Sequence, residues 1–246
     1  MTRERVAVYI LTALATWTTV VTSLVLVVIL RGEADPDKRA IVMMGCGLLV
    51  IWVLAGGTAM RLWRDGIVSI LQRIPLGWRT RFVLLCVLMA LLEEVVTTGL
   101  TNAAPLFGGV TDAARITASK NYLEVVLLHS VIVFWPSYIA WALILSRWDF
   151  SPAEVMLLYG LTGWLMELIT FGPQNYGMIG TWVFVYGLMV YIPACTVPRN
   201  RPVRPVSWWM WLPAAVLPLF AGIPFVPVVL AIRWVAMALG INLTPG

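Results

Sequence analysis

The sequence predicts an all-α fold: a polytopic transmembrane helical bundle of seven or eight spans, with an interfacial amphipathic helix between spans two and three. Three observations predict it. Of the 246 residues, 61% are hydrophobic and 12% are charged, against roughly 25% charged residues in a soluble domain. Mean hydropathy is +0.89. The apolar residues also fall in runs near the length of about 20 that crosses a hydrocarbon layer of about 30 Å. Little sequence is left for a separate soluble unit, so residues 1–246 are read as a single integral membrane domain.

The elements follow in order. Span one covers residues 6–30, an apolar run too long for the signal-peptide core of roughly 7–15 residues and so read as retained. A polar turn rich in Asp, Glu and Pro separates it from span two, 40–60. Residues 61–81 mix five arginines with Leu, Ile and Trp, a pattern suited to a helix lying in the headgroup region, apolar side down. Span three is 82–100, and a loop of polar and small residues leads to span four, 122–146. Span five is 153–172 and span six 180–197. The final run, 207–239, carries Pro213, Pro218, Pro224 and Pro227. Each proline removes a backbone donor and crowds the preceding turn. The reading favoured here is a broken hairpin turning near 222–224, with a kinked seventh span as the alternative.

Arginine sets the orientation. Arg3 and Arg5, the 61–81 segment, and Arg199, Arg201 and Arg204 alternate with segments 31–39, 101–121 and 173–177, whose charges nearly balance or are absent. Positive residues mark the cytoplasmic side, which places the N-terminus in the cytoplasm. Basic residues at span ends act as topology signals, so the net charge of +5 does not imply nucleic-acid binding. Cys46, Cys86 and Cys195 lack CxxC spacing and read as small buried hydrophobes. A retinal Schiff base needs a deep late lysine, and Lys38 and Lys120 are the only lysines. One histidine and no Cys-x-x-Cys-His exclude bis-His haem within the chain and c-type haem.

The candidate chemistry lies inside the spans. Glu93, Glu94, His129 and Glu167 are ionisable at membrane depth, with Glu124 near a span end and Arg233 in the tail, the latter read as snorkelling or pairing with a carboxylate. A charge at the bilayer centre costs several kcal/mol, roughly 2.5–3.5 for Asp, Lys or Arg, so such residues persist where they meet water, a partner or a ligand. With alternating spans, Glu93, His129 and Glu167 fall at roughly 8–10 Å below one boundary at 1.5 Å per residue. Glu94, Thr97, Thr98 and Thr101 form one stripe at i, i+3, i+4 and i+7. Gly160 and Gly163 precede Glu167 on one side of span five, so a neighbouring helix can approach closely. Pro136 is expected to interrupt span four.

Two carboxylates and an imidazole can share a proton, activate water as a general base and return the proton to a leaving group. The same set can hold a divalent iron, manganese or zinc ion, though the Glu-x-x-His of bundle di-iron sites is absent. No cofactor is expected, with one divalent metal ion as the alternative. Thr98, Asn102, Lys120, Asn121 and Tyr122 are the candidate substrate-binding residues, in and beside a loop placed to cover the cluster.

Leu91-Leu92-Glu93-Glu94 in an apolar helix, followed by a helical His129, resembles the CAAX-protease and bacteriocin-processing family of intramembrane glutamate proteases. The similarity covers about 50 residues around spans three and four. It implies a general-base role for Glu93, Glu94 and His129. Thr98 stands where the family has an arginine, Val125 where it has a phenylalanine, and the second histidine of its oxyanion motif has no counterpart. The expected function is an intramembrane hydrolase acting on a membrane-embedded peptide or lipid-like substrate. The alternatives are a proton- or ion-coupled transporter, a metal-dependent membrane enzyme, and a non-catalytic subunit of a membrane complex. Membrane lipid is the expected surrounding partner.

Overall fold

The computed structural model describes residues 2–32 and 34–238, and the side chain of Arg233 and the end of the 207–239 run lie outside the described residues. Helix α1, Arg3–Arg31, starts where the Thr2 hydroxyl accepts from the Arg5 amide. Asp35 caps α2, Pro36–Leu48, by accepting from the amides of Asp37 and Lys38, with Pro36 supplying a preset φ in the first turn. The chain continues through a π-helical stretch, Leu49–Gly56, into α3, Gly57–Leu62. There Trp52 is buried and donates its indole N–H to the Val185 carbonyl at 3.0 Å.

A short α4, Arg64–Gln72, turns half-buried Ile67 and Leu71 toward the core, while its other residues are largely exposed. Next come α5, Trp78–Asn102; α6, Tyr122–Glu124; and, after a π-turn at Val125–His129, α7, Val131–Leu145. α8, Pro152–Phe171, opens with a capping box in which Ser151 and Glu154 satisfy each other's amides. It ends at Gly172, whose φ of +90° favours glycine. α9, Ile179–Cys195, follows a 3-10 turn. α10, Trp211–Phe220, and α11, Val226–Ala238, complete the described chain.

Six of these helical runs are long and apolar enough to cross a membrane, and the bent pair Tyr122–His129 and Val131–Leu145 makes up to seven. The architecture is an all-α polytopic bundle. The last run is one candidate span by length and composition, Trp208–Ile232, broken between α10 and α11. In span four the break falls at Ser130, with a 47° bend, and Pro136 sits inside continuous α7. The π-turn is the cause. Ser130 donates its amide to Val125, one residue further back than an α-helix allows, and the backbone then leaves helical geometry at φ −125°, ψ −81°.

α5, α7, α8 and α9 form the centre, and α1 is peripheral, with Ala7 its one buried residue. Glycine sets the tightest seam. A Cβ on Gly160 would lie 2.3 Å from the Val183 carbonyl oxygen, and one on Gly163 would lie 2.1 Å from Tyr186 Cγ. α8 and α9 are therefore in backbone contact, as the small residues ahead of Glu167 imply.

Contacts between loops also sort the two ends of the bundle. Arg3 pairs with Glu154 at the start of α8. Arg201 donates to the carbonyls of Leu145 and Trp148, and its guanidinium lies 6.0 Å from the Trp78 ring centre. At the other end Asp37 accepts from the amides of Val110 and Thr111. The arginine-rich segments thus gather at one end, and the 31–39 and 101–121 loops meet at the other.

Candidate functional site

The stripe on α5 turns inward. Glu93 and Glu94 are 5% and 7% exposed, and Thr97, Thr98 and Thr101 are buried with them. A carboxylate next to another on one helix cannot share its direction, so the two glutamates point to different partners. Glu94 accepts from the Thr97 hydroxyl at 3.1 Å, one turn along its own helix. Across the gap the Ser130 hydroxyl, held at the break between the π-turn and α7, faces the Glu94 carboxylate, although its oxygen makes no hydrogen bond of good geometry.

Glu93 is close enough to feel the charges of both Glu94 and Glu167. Glu167, 8% exposed on α8, accepts from the Tyr186 hydroxyl at 2.5 Å. Three carboxylates from two helices therefore meet in one buried region. Among the described residues no lysine or arginine pairs with any of them. Beside Glu93 runs a string of buried hydroxyls: Tyr138, the neighbouring Tyr159, and Ser137, whose oxygen is 3.0 Å from that of Tyr159.

Among the described residues the buried Thr98 Oγ1 makes no hydrogen bond, and Ser130 Oγ makes none of good geometry although it faces Glu94. Thr98 lies one turn above Glu94 on the same face of α5. A buried hydroxyl left unmade costs about 1–3 kcal/mol, so such groups in a polar region are places for a water or a ligand atom. His129 is half-buried, and it ends the π-turn immediately before Ser130.

The remaining sequence candidates are engaged within the fold. Asn102 donates to the carbonyls of Thr98 and Lys120, at 2.9 Å each. Lys120 pairs with Asp112 at 2.7 Å. Asn121 caps α6, accepting from the amides of Leu123 and Glu124. Tyr122 reaches in, donating to the Leu91 carbonyl at 3.1 Å. Glu124 is buried and accepts from the Ser119 hydroxyl. Thr101 accepts from the Ile116 amide, which docks the loop onto the end of α5.

A metal ligand set of Glu93, Glu94, His129 and Glu167 is not formed. Among the described residues no three His, Cys, Asp or Glu side chains are placed to hold one ion. The reason is that Glu94 and Glu167 each turn to a hydroxyl donor, Thr97 and Tyr186, instead of converging.

Sequence reasoning missed three participants. Tyr186 and Ser130 carry no motif; each becomes visible only when α9 and the bend before α7 are set against the glutamates. The third, Glu154, belongs to the scaffold and is the most deeply buried of the described acids. It accepts from Arg3, Trp211 and the Ser151 amide, so it is a structural bolt joining α1, α8 and α10. Its Ser-x-x-Glu spacing was the available signal.

Comparison with protein-family models, with curated proteins and with solved structures gave no match.

Proposed function

We propose that the protein is an intramembrane hydrolase in which Glu94 acts as general base. The observation that carries this reading is the Ser130 hydroxyl facing the Glu94 carboxylate, with the buried, unpartnered Thr98 hydroxyl one helical turn along α5 from Glu94. A water held there can pass a proton to Glu94 while its oxygen attacks a carbonyl carbon of the substrate. The two hydroxyls then donate to the oxygen that gains charge, as oxyanion donors do. The proton leaves on the departing group, returned by Glu94 or by His129, which adjoins Ser130. The resemblance to glutamate intramembrane proteases supports the same roles for Glu93, Glu94 and His129. The substrate class is a membrane-embedded peptide or lipid-like ester or amide.

The chain acts as one membrane domain of seven spans, the last kinked. Its N-terminus and arginine-rich end face the cytoplasm under the positive-inside rule. α4 lies in the headgroup layer with Ile67 and Leu71 inward. The site then opens toward the outer face. Asn102, Lys120 and Asn121 shape the loop above it, and Thr98 and Tyr122 contact the substrate.

A second reading, a proton-coupled carrier, is favoured by one observation: Glu93 is within charge range of two other carboxylates and of Tyr138, which neighbours the Tyr159–Ser137 hydroxyl pair. One experiment separates the two. The full chain is reconstituted in liposomes and assayed for cleavage of labelled transmembrane peptides and lipid esters, with proton flux followed in parallel. Cleavage lost in Glu94→Gln and Ser130→Ala at wild-type yield supports the hydrolase. Proton flux without cleavage, lost in Glu93→Gln, replaces it with the carrier.

A further inference from the structure

A second feature lies away from the carboxylates. α1 does not close fully against its neighbours, and a cavity of about 650 Å³ runs between α1, the α2–α3 segment and α9. On α1 its wall extends from Val8 to Leu26. Eighteen rises of 1.5 Å make this about 27 Å, close to the full depth of a hydrocarbon layer of about 30 Å.

The wall is more apolar than its threonines suggest. Thr12, Thr18 and Thr19 donate their hydroxyls to carbonyls one turn back on α1, at 2.9 Å each. Their methyl groups are left to line the space, together with Cys46 of α2, aliphatic side chains of the π-helical stretch, Met156 of α8, and Phe184 and Leu188 of α9. A groove of this shape suits an alkyl chain.

One end carries charge. Arg61 lines the cavity there, is exposed, and pairs with no carboxylate among the described residues. Tyr191 lines the same end, and Arg64 lies against its hydroxyl. Arg64 and Arg199 both act on Cys195, one turn further along α9. Arg61 is thus the guanidinium in the wall of this mouth, with Arg64 beside Tyr191 but paired with Asp65.

We propose that this groove is a binding site for one anionic phospholipid, with an acyl chain along the threonine wall of α1 and the phosphate at Arg61. The guanidinium suits the phosphate because its fixed fork of donors matches two phosphate oxygens at once. The proposal rests on the membrane-spanning architecture and is independent of the hydrolase reading.

The test uses the full chain, delipidated in detergent and followed by native mass spectrometry. Phosphatidylglycerol and phosphatidylcholine with identical acyl chains are titrated in turn. The expected result is one retained phosphatidylglycerol, bound at least fivefold more tightly than phosphatidylcholine. Arg61→Gln removes most of that preference, and Arg61→Lys keeps part of it. Thr19→Trp, which fills the groove from an exposed helix face, lowers retention of both lipids. Equal binding of the two lipids by the wild type overturns the proposal, as does a preference that survives Arg61→Gln. A Thr19→Trp protein that keeps its lipid but changes from dimer to monomer also overturns it, because the groove then seats a second copy of the chain.

Discussion

Tyr186 on α9 donates its phenolic proton to Glu167 on α8 at 2.5 Å, and Gly163 gives the ring its place. Any side chain at 163 would put its Cβ 2.1 Å from Tyr186 Cγ, so the ring lies over the space a side chain would fill. The bond therefore depends on a residue that has no functional group.

Gly163→Ala is expected to destabilise the protein by about 1–3 kcal/mol, the usual cost of overpacking a filled interior. The comparison is Gly45→Ala, where a Cβ meets nothing within 4 Å and better helix propensity gives a neutral or slightly positive effect. Thermal melting of both variants in one detergent measures the difference. Equal melting temperatures would mean that the seam has slack.

Tyr186→Phe removes a donor from a buried carboxylate and is expected to cost about 1–3 kcal/mol. Tyr138→Phe serves as the reference, since its hydroxyl has a weak sulfur acceptor, Met189 Sδ at 3.5 Å. Denaturant unfolding should rank Tyr186→Phe as the more damaging. The reverse order would remove Tyr186 from the cluster.

Arg201 ties two segments at the arginine-rich end. It donates to the carbonyls of Leu145, Pro198 and Trp148 and to the Asp149 carboxylate. A lysine has the charge but not the planar fork. Arg201→Lys is therefore expected to loosen residues 146–150 and 198–206 together, seen as faster hydrogen exchange in both. Loosening of one segment alone would contradict the tie.

Asp112 supplies a pH test. The hydrogen bond from Lys120, and then its charge, hold the Asp112 carboxyl below its ordinary value of 3.8. A folded pKa below the unfolded one gives a contribution that is complete above about 3.9 and is lost as pH falls through the folded value. The pair is exposed, so its effect on global stability is small. The readout is the Asp112 titration followed by NMR, and Lys120→Met should move the midpoint up. An unmoved midpoint would mean that the ion pair does not persist in solution.

Part of the candidate site was legible in the chain. A glutamate in an apolar helix announces itself because its burial is costly, and Glu93, Glu94 and Glu167 are all buried. Thr97 and Thr98 were also readable, because helical spacing fixes which residues share a face. Ser130 was not. Its place depends on one extra residue in the Val125–His129 turn, and no composition rule marks a π-turn. Pro136 drew attention as the breaker and proved compatible with α7, since the preceding π-turn had already redirected the chain. Asn102, Lys120 and Asn121 looked available for a ligand. Loop backbone needs partners of its own, and these side chains supply them.

The sequence by itself determined the solvent of this protein, the all-α class and the order of its apolar runs. Those follow from hydrophobicity and from the demand that every backbone polar group in lipid be satisfied within its own helix. Tertiary structure decided which face of each helix meets which neighbour. It set Tyr186 against Glu167, turned Ser130 toward Glu94, left Thr98 buried without a hydrogen bond, and opened the groove along α1. Lipid tails are as apolar as the core, so hydrophobicity cannot choose those faces. Close packing chooses them, through Gly160 and Gly163 in the seam and a bend at Ser130.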